Sequence, residues 1–276
     1  MSLPSLAPFG ATVAEALRHA AFAPLRPFAA GFAASADWPA VEMYAAMLPP
    51  GSAPRGREGP LRIVEQAATR PRPRPGGRPT RAVTSLYDGR ILTEGVLPTR
   101  PRNWHDFWNL LVWAAFPRGK LALHERQYEA HRARLPEEFT AQPARRTREQ
   151  DALALLDEGG LLLLASPAAK DGRVAAAMAG DASALSAAVR GGAVSCVLFG
   201  HALYEHLAAP SVAPATLRAK PTWLPVEPHA PLARVDEALA HELRRPGSFA
   251  EPGREAGVVL EPALFTAAPE ASAHPA

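Results

Sequence analysis

Cysteine is almost missing from this chain. Cys196 is the one thiol among 276 residues, so no intrachain disulfide can staple the fold. Its apolar neighbours in AVSCVLF suit a small buried hydrophobe better than a nucleophile. Long apolar runs are missing too, and none approaches the roughly 18 residues that span a bilayer. The opening MSLPSLAPFGATVAEALRHAAF lacks the basic start and clean apolar stretch of a secretory signal. The expectation is a cytoplasmic protein with no membrane partner. Walker A, G-x-G-x-x-G after a strand, G-x-S-x-G, H-E-x-x-H and zinc-type cysteine pairs are also absent, which removes the commonest nucleotide, α/β-hydrolase and zincin readings. Net charge is only +3. Much of the excess lies in TRPRPRPGGRPTR, where arginine alternates with proline and no aromatic is interleaved. That argues against a nucleic-acid partner and for a flexible Arg/Pro-rich insertion at residues 69–81.

What is present is apolar material (47%) and proline, 30 residues of it. The length is enough to bury a sizeable core. TVAEALRHAAF reads as a helix, and DWPAVEMYAAMLPP as another with Asp37 at its N-cap and Pro39 in its first turn. PLRIVEQA reads as a strand. LALHERQYEAHRARL and ARVDEALAHELRR carry helical periodicity, and an Ala-rich helix is expected from about Val174 to Arg190. DALALLDEGGLLLLAS places two short apolar runs around Asp-Glu-Gly-Gly and reads as a β-hairpin. GGAVSCVLFGHALYEHLAAP reads as a buried strand running through Gly200 into a short helix, with a continuous helix across Gly200 as the alternative that periodicity does not separate. The fold class is therefore α+β, mostly helical with a small sheet or hairpin. The expected organisation is one domain over residues 1–265 with a disordered tail at 266–276.

One segment calls for chemistry. NWHDFWNLLVWAAFPRGK is a strongly apolar helix whose predicted N-cap is Asn103, with Asp106 at the third helical position facing the dipole's positive end. At about 100° per residue, His105, Trp108, Asn109, Val112, Trp113 and Phe116 share a stripe. The face that must seek the core thus carries an imidazole and a carboxamide. Each would cost about 1–3 kcal/mol if buried without a partner. Those partners must come from distant parts of the chain.

Two further groups are candidates. His201 and Glu205 in HALYE sit at i and i+4, a spacing that suits two ligands of one metal or a carboxylate orienting an imidazole. Asp157 and Glu158, with Asp151 nearby, form an acidic group suited to a hard cation or to acid–base work. His124 and His131, seven apart on one helix, read as a boundary between surface and core.

Three segments carry a resemblance: YDGRILTEGVLPTRPRNWHDFWNLLVWAAFPRGKLAL, RTREQDALALLDEGGLLL and VLFGHALYEHLAAP. Together they resemble the bacterial domain-of-unknown-function family numbered 3025, over about Tyr87 to Pro210. The chain departs from the family's usual form at Trp108 (Phe there), Gly119 (Thr) and Gly159 (Asn). No activity comes with the resemblance. What it implies is that the three segments form one unit.

Two function readings follow. In the first, the protein is a hydrolase-like enzyme using His/carboxylate acid–base or metal-assisted chemistry on a small anionic substrate. His105, Asp106, Asn109, His201 and Glu205 form the catalytic group, and Arg118 and Lys120 hold the anionic group. Asp157 and Glu158 bind a divalent metal. In the second, the protein is a non-enzymatic binding or interaction module, and the same polar residues are structural.

Overall fold

The computed structural model describes residues 8–66, 80–140, 145–169, 175–177, 181–209, 217–250 and 257–265. The fold is α+β and mostly helical. In chain order its helices include α1 (Phe9–Ala16), α2 (Arg26–Ala33), α3 (Tyr44–Met47), α4 (Tyr87–Glu94), α5 (Trp104–Ala115) and α6 (Pro117–Arg132). They continue with α7 (Arg148–Gly159), α8 (Ala182–Arg190), α9 (His201–Ala208) and α10 (Leu232–Arg244). Most of the 69–81 insertion and all of the 266–276 tail lie outside the described residues.

Three small sheets join these helices. β1 (Arg62–Glu65) pairs in parallel with β3 (Val96–Thr99), and β2 (Arg81–Ala82) pairs antiparallel with β4 (Glu138–Phe139). The largest sheet contains β5 (Gly160–Ala165), β6 (Ser195–Leu198), β7 (Arg218–Pro225) and β8 (Val258–Val259), in the order β6-β5-β7-β8. β5 is antiparallel to β6 and parallel to β7. All six of its residues are buried, which explains a continuous leucine run where a half-exposed strand would alternate.

Local sequence accounts for much of this. Asn103 caps α5, its side chain accepting from the Asp106 backbone N–H at 3.0 Å. Gly95 adopts φ +62 to end α4, a left-handed C-cap that costs glycine nothing, and the chain turns at once into β3. α6 has proline at its start and no cap of its own. Asp236 of α10 supplies one, accepting from the backbone N–H groups of Arg118 (3.1 Å) and Gly119 (2.7 Å). Burial raises the Asp236 pKa to about 6, against the pull of those two donors.

Two expectations are corrected. Residues 151–166 are not a β-hairpin: α7 runs through Asp157 and Glu158 and passes directly into β5. The overlooked signal is Thr147 and Gln150, which form a reciprocal capping box, with Ala152, Leu153 and Leu156 then turned inward. Asp37 does not cap a helix. It accepts from Trp38 and pairs with Arg102, while the next helical turn starts after Ala40. The helix expected from about Val174 begins outside the described residues, and its later part is α8, capped by Asp181.

Candidate functional site

The junction between α7 and β5 lies against the junction between β6 and α9. The backbone N–H groups of Phe199 and Gly200 both donate to the Gly160 carbonyl, at 3.0 and 2.9 Å. A Cβ on Gly200 would fall 2.5 Å from the Gly160 nitrogen and 2.6 Å from the Glu158 carbonyl oxygen, so only glycine permits this approach. The consequence is positional: the last turn of α7, with Asp157 and Glu158, is stitched to the first residue of α9, His201. Helix α9 also packs on α5, which carries His105 in its first turn.

Three side chains from three helices meet there. The Nε2 atoms of His105 and His201 are 3.0 Å apart. Glu158 Oε2 lies 3.5 Å from His201 Nε2 and 3.8 Å from His105 Nε2. Ligands around one zinc-sized ion at 2.0–2.1 Å stand about 3.3 Å from one another. Among the described residues, His105, Glu158 and His201 are the group whose ligand atoms all lie within 4.8 Å.

The outer nitrogen of each ring faces a carboxylate. His105 Nδ1 is 3.1 Å from Glu205 Oε2, and His201 Nδ1 is 3.6 Å from Asp157 Oδ1. A carboxylate there favours the proton on Nδ1 and leaves the Nε2 lone pair facing inward. With both protons on Nδ1, two lone pairs and a carboxylate oxygen would converge, an arrangement that calls for positive charge between them; with a proton on one Nε2, the rings share a hydrogen bond instead. Asp157 is kept anionic for its part in this. Burial alone would raise its pKa, but the Lys120 ammonium and then His201 outweigh burial and hold it well below the usual range.

Lys120 is fully buried. Its ammonium donates to Asp157 Oδ1 and to Asn109 Oδ1 (2.8 Å), and the Asn109 amide donates to the Tyr87 hydroxyl at 3.0 Å. Asp106 accepts from Arg100 through the backbone N–H (2.6 Å), Nε (2.9 Å) and Nη2 (2.7 Å). His105, Asp106, Asn109, Asp157, Glu158 and His201 all line one cavity of about 510 Å³, within the range of small-molecule sites. Glu205 stands behind His105, outside that lining. Arg118 is exposed and also outside it; its part is the backbone N–H donated to Asp236.

The same cavity holds further polar groups. Tyr87, Asp88, His124 and His131 line it. His124 Nδ1 is 2.7 Å from Asp88 Oδ1, and the Asp88 Oδ2 atom is 3.8 Å from His131 Nε2. His124 and His131 therefore line the cavity, the first buried and the second partly exposed. Their helical spacing was visible, but Asp88 as the shared partner, 36 residues away, was not.

A family model described as "Protein of unknown function (DUF3025)" matches residues 78–256. The chain belongs to the DUF3025 family. Every cavity side chain discussed above, from Tyr87 to His201, and Glu205 behind them, falls inside the stretch matched by the DUF3025 model. No curated protein and no solved structure matches the chain. Among the described residues, no helix is long and apolar enough to cross a membrane.

Proposed function

We propose that the cavity is the active site of a metal-assisted hydrolase-like enzyme, with His105, His201 and Glu158 as ligands of a zinc-like divalent cation. The observation that carries this reading is the inward pairing of the two Nε2 atoms beside Glu158, with Glu205 at hydrogen-bond distance from the outer nitrogen of His105 and Asp157 3.6 Å from that of His201. Two imidazoles and one carboxylate form a catalytic rather than a structural donor set, because three protein ligands leave a coordination position open. Such an ion supplies Lewis acidity toward a carbonyl or phosphoryl oxygen and activates water at neutral pH. The protein's own residues orient the ligands: Glu205 holds His105, and the Lys120-charged Asp157 faces His201.

The structural reading keeps some ground. Tyr87, Asn109, Lys120 and Asp157 satisfy one another inside the fold, which supports a bolting role for that chain of contacts. It accounts less well for the half-exposed His105 and Glu158 at the cavity surface.

The test is zinc titration of chelator-treated protein by calorimetry, followed by hydrolysis of nitrophenyl acetate with and without the metal. One zinc per chain, lost in His105→Ala and His201→Ala, with chelator-sensitive hydrolysis, is the expected result. Zinc uptake no tighter than in a His105→Ala/His201→Ala variant would sink the proposal and favour the structural reading.

A further inference from the structure

The Asp88–His124 pair has no part in the proposed metal centre, yet it lines the same cavity. His124 is 1% exposed. Its ring lies flat on Trp113, with centroids 5.1 Å apart and planes at 5°, and Tyr87 meets it edge-on at 5.5 Å. Ring position and plane are therefore fixed. Asp88 Oδ1, at 2.7 Å, accepts a hydrogen bond from Nδ1–H, which leaves Nε2 of the neutral ring as a hydrogen-bond acceptor. That Nε2 atom is buried and meets no hydrogen-bond donor among the described residues. Leaving a buried acceptor unmatched costs about 1–3 kcal/mol, and such groups are uncommon enough to need a cause.

Several donors around the cavity have acceptors of their own. Lys120, one helical turn before His124, gives its protons to Asn109 and Asp157. The Asn109 amide serves Tyr87. His131, whose Nδ1 is 3.3 Å from the Gln150 side-chain nitrogen, faces Asp88 rather than His124. The acceptor is thus rigid and unmatched among the described residues, on a ring that lines a cavity whose proposed metal centre is built from other residues.

We infer that His124 is a specificity-determining residue: its Nε2 accepts a hydrogen bond from a hydroxyl or amino group on the substrate, away from the bond that reacts at His105, Glu158 and His201. The substrate class is a small polar molecule with a hydrolysable group at one end and a hydrogen-bond donor at the other. This inference rests on the metal-centre reading above. Discrimination of this kind is strong because an analogue without the donor leaves the acceptor unpaired again.

The probes are alkyl hydroxamates, which anchor on zinc, over a series of chain lengths. Each is made with a terminal hydroxyl and as its methyl-terminated isostere, and binding to zinc-loaded protein is measured by calorimetry. At one chain length the hydroxyl form should bind roughly tenfold or more tighter than its isostere. The preference should vanish in His124→Phe and shrink in Asp88→Asn, with zinc content unchanged in both. In the wild-type protein, which needs no variant to fold, the hydroxyl form alone should shift the His124 Nε2 resonance in ¹⁵N-histidine spectra. Equal binding of both forms at every length, with zinc bound, would overturn the role of His124 and leave the metal centre standing. Failure of the protein to take up zinc at all would instead overturn the metal centre, and this inference with it.

Discussion

His105 and His201, separated by 96 positions in the chain, place their Nε2 atoms 3.0 Å apart. Neither ring could be held this way alone. Glu205 stands one helical turn beyond His201 on α9, yet it serves the ring on α5. The carboxylate facing His201 comes from α7. Two of the three helices, α9 and α7, thus each place a carboxylate beside a ring that another helix carries.

Removing an orienting carboxylate should weaken the metal more than the fold. Glu205→Gln is expected to lower zinc affinity about 10–100-fold, with little change in the denaturant midpoint because the site is half-exposed. Competition against a chelator of known affinity measures the first, and urea unfolding the second.

Gly200→Ala tests the stitched junction. Its Cβ would land 2.5–2.6 Å from backbone atoms of α7 and β5, and backbone cannot swing aside as a side-chain tip can. Destabilisation of about 1–3 kcal/mol is expected. Weaker zinc binding should accompany it, since His201 and Glu158 are pushed apart. Unaltered stability would show that the junction is looser than described.

Lys120→Met leaves the Asp157 carboxylate buried without its cation, at an expected cost of about 3–5 kcal/mol. Adding Asp157→Leu should restore a large part, because an apolar pair in place of a buried ion pair is often tolerated. The pH direction follows from the depressed Asp157 pKa. Its contribution is present above the unfolded value near 3.8 and is lost as pH falls through the lower folded value. Acid unfolding of the wild type should therefore steepen below about pH 4, and Lys120→Met should weaken that dependence.

Asp236 acts with the opposite sign. Its folded pKa of about 6 lies above the ordinary 3.8, so the native state holds a proton that the unfolded chain has released between those values. Stability from this group falls as pH rises from about 4 to about 6 and is flat beyond. Asp236→Asn, which keeps one acceptor oxygen for the start of α6, should remove that slope. Urea midpoints measured across this pH range in both proteins provide the check.

Cys196 is buried in β6, and burial pushes its thiol up to about 12. Native protein should not react with Ellman's reagent at pH 8, whereas denatured protein should release one equivalent per chain. Rapid native labelling would mean that β6 opens readily.

What the sequence showed and what it hid divide along the range of the interactions. Asn103 and Asp106 were legible because a helix cap is a local contact, whereas β6 followed by α9 was only half legible, because periodicity alone fits a continuous helix across Gly200 as well. The hairpin reading failed because leucines flank Asp157–Gly160 on both sides. Only the capping box further upstream shows that the first run is helical. The convergence of His105 with His201 was readable as a need for partners, but the spacing of residues does not give the distance between helices. Burial of Lys120 was not readable at all. It depends on Asn109 and Asp157 being satisfied together, and an Arg-Gly-Lys after an apolar helix looks like a solvated end. Asp88 was hidden for the same reason: its two imidazole partners lie on a later helix.

The Gly160 carbonyl that receives both Phe199 and Gly200 ties the site's assembly to one strand pairing. A peptide carrying α5 alone, or α9 alone, has half a claw and nothing to grip. An ion captured by all three helices would behave as a removable clasp, slowing amide exchange in α9 and the end of α7 together while leaving α1 and α2 to breathe as before.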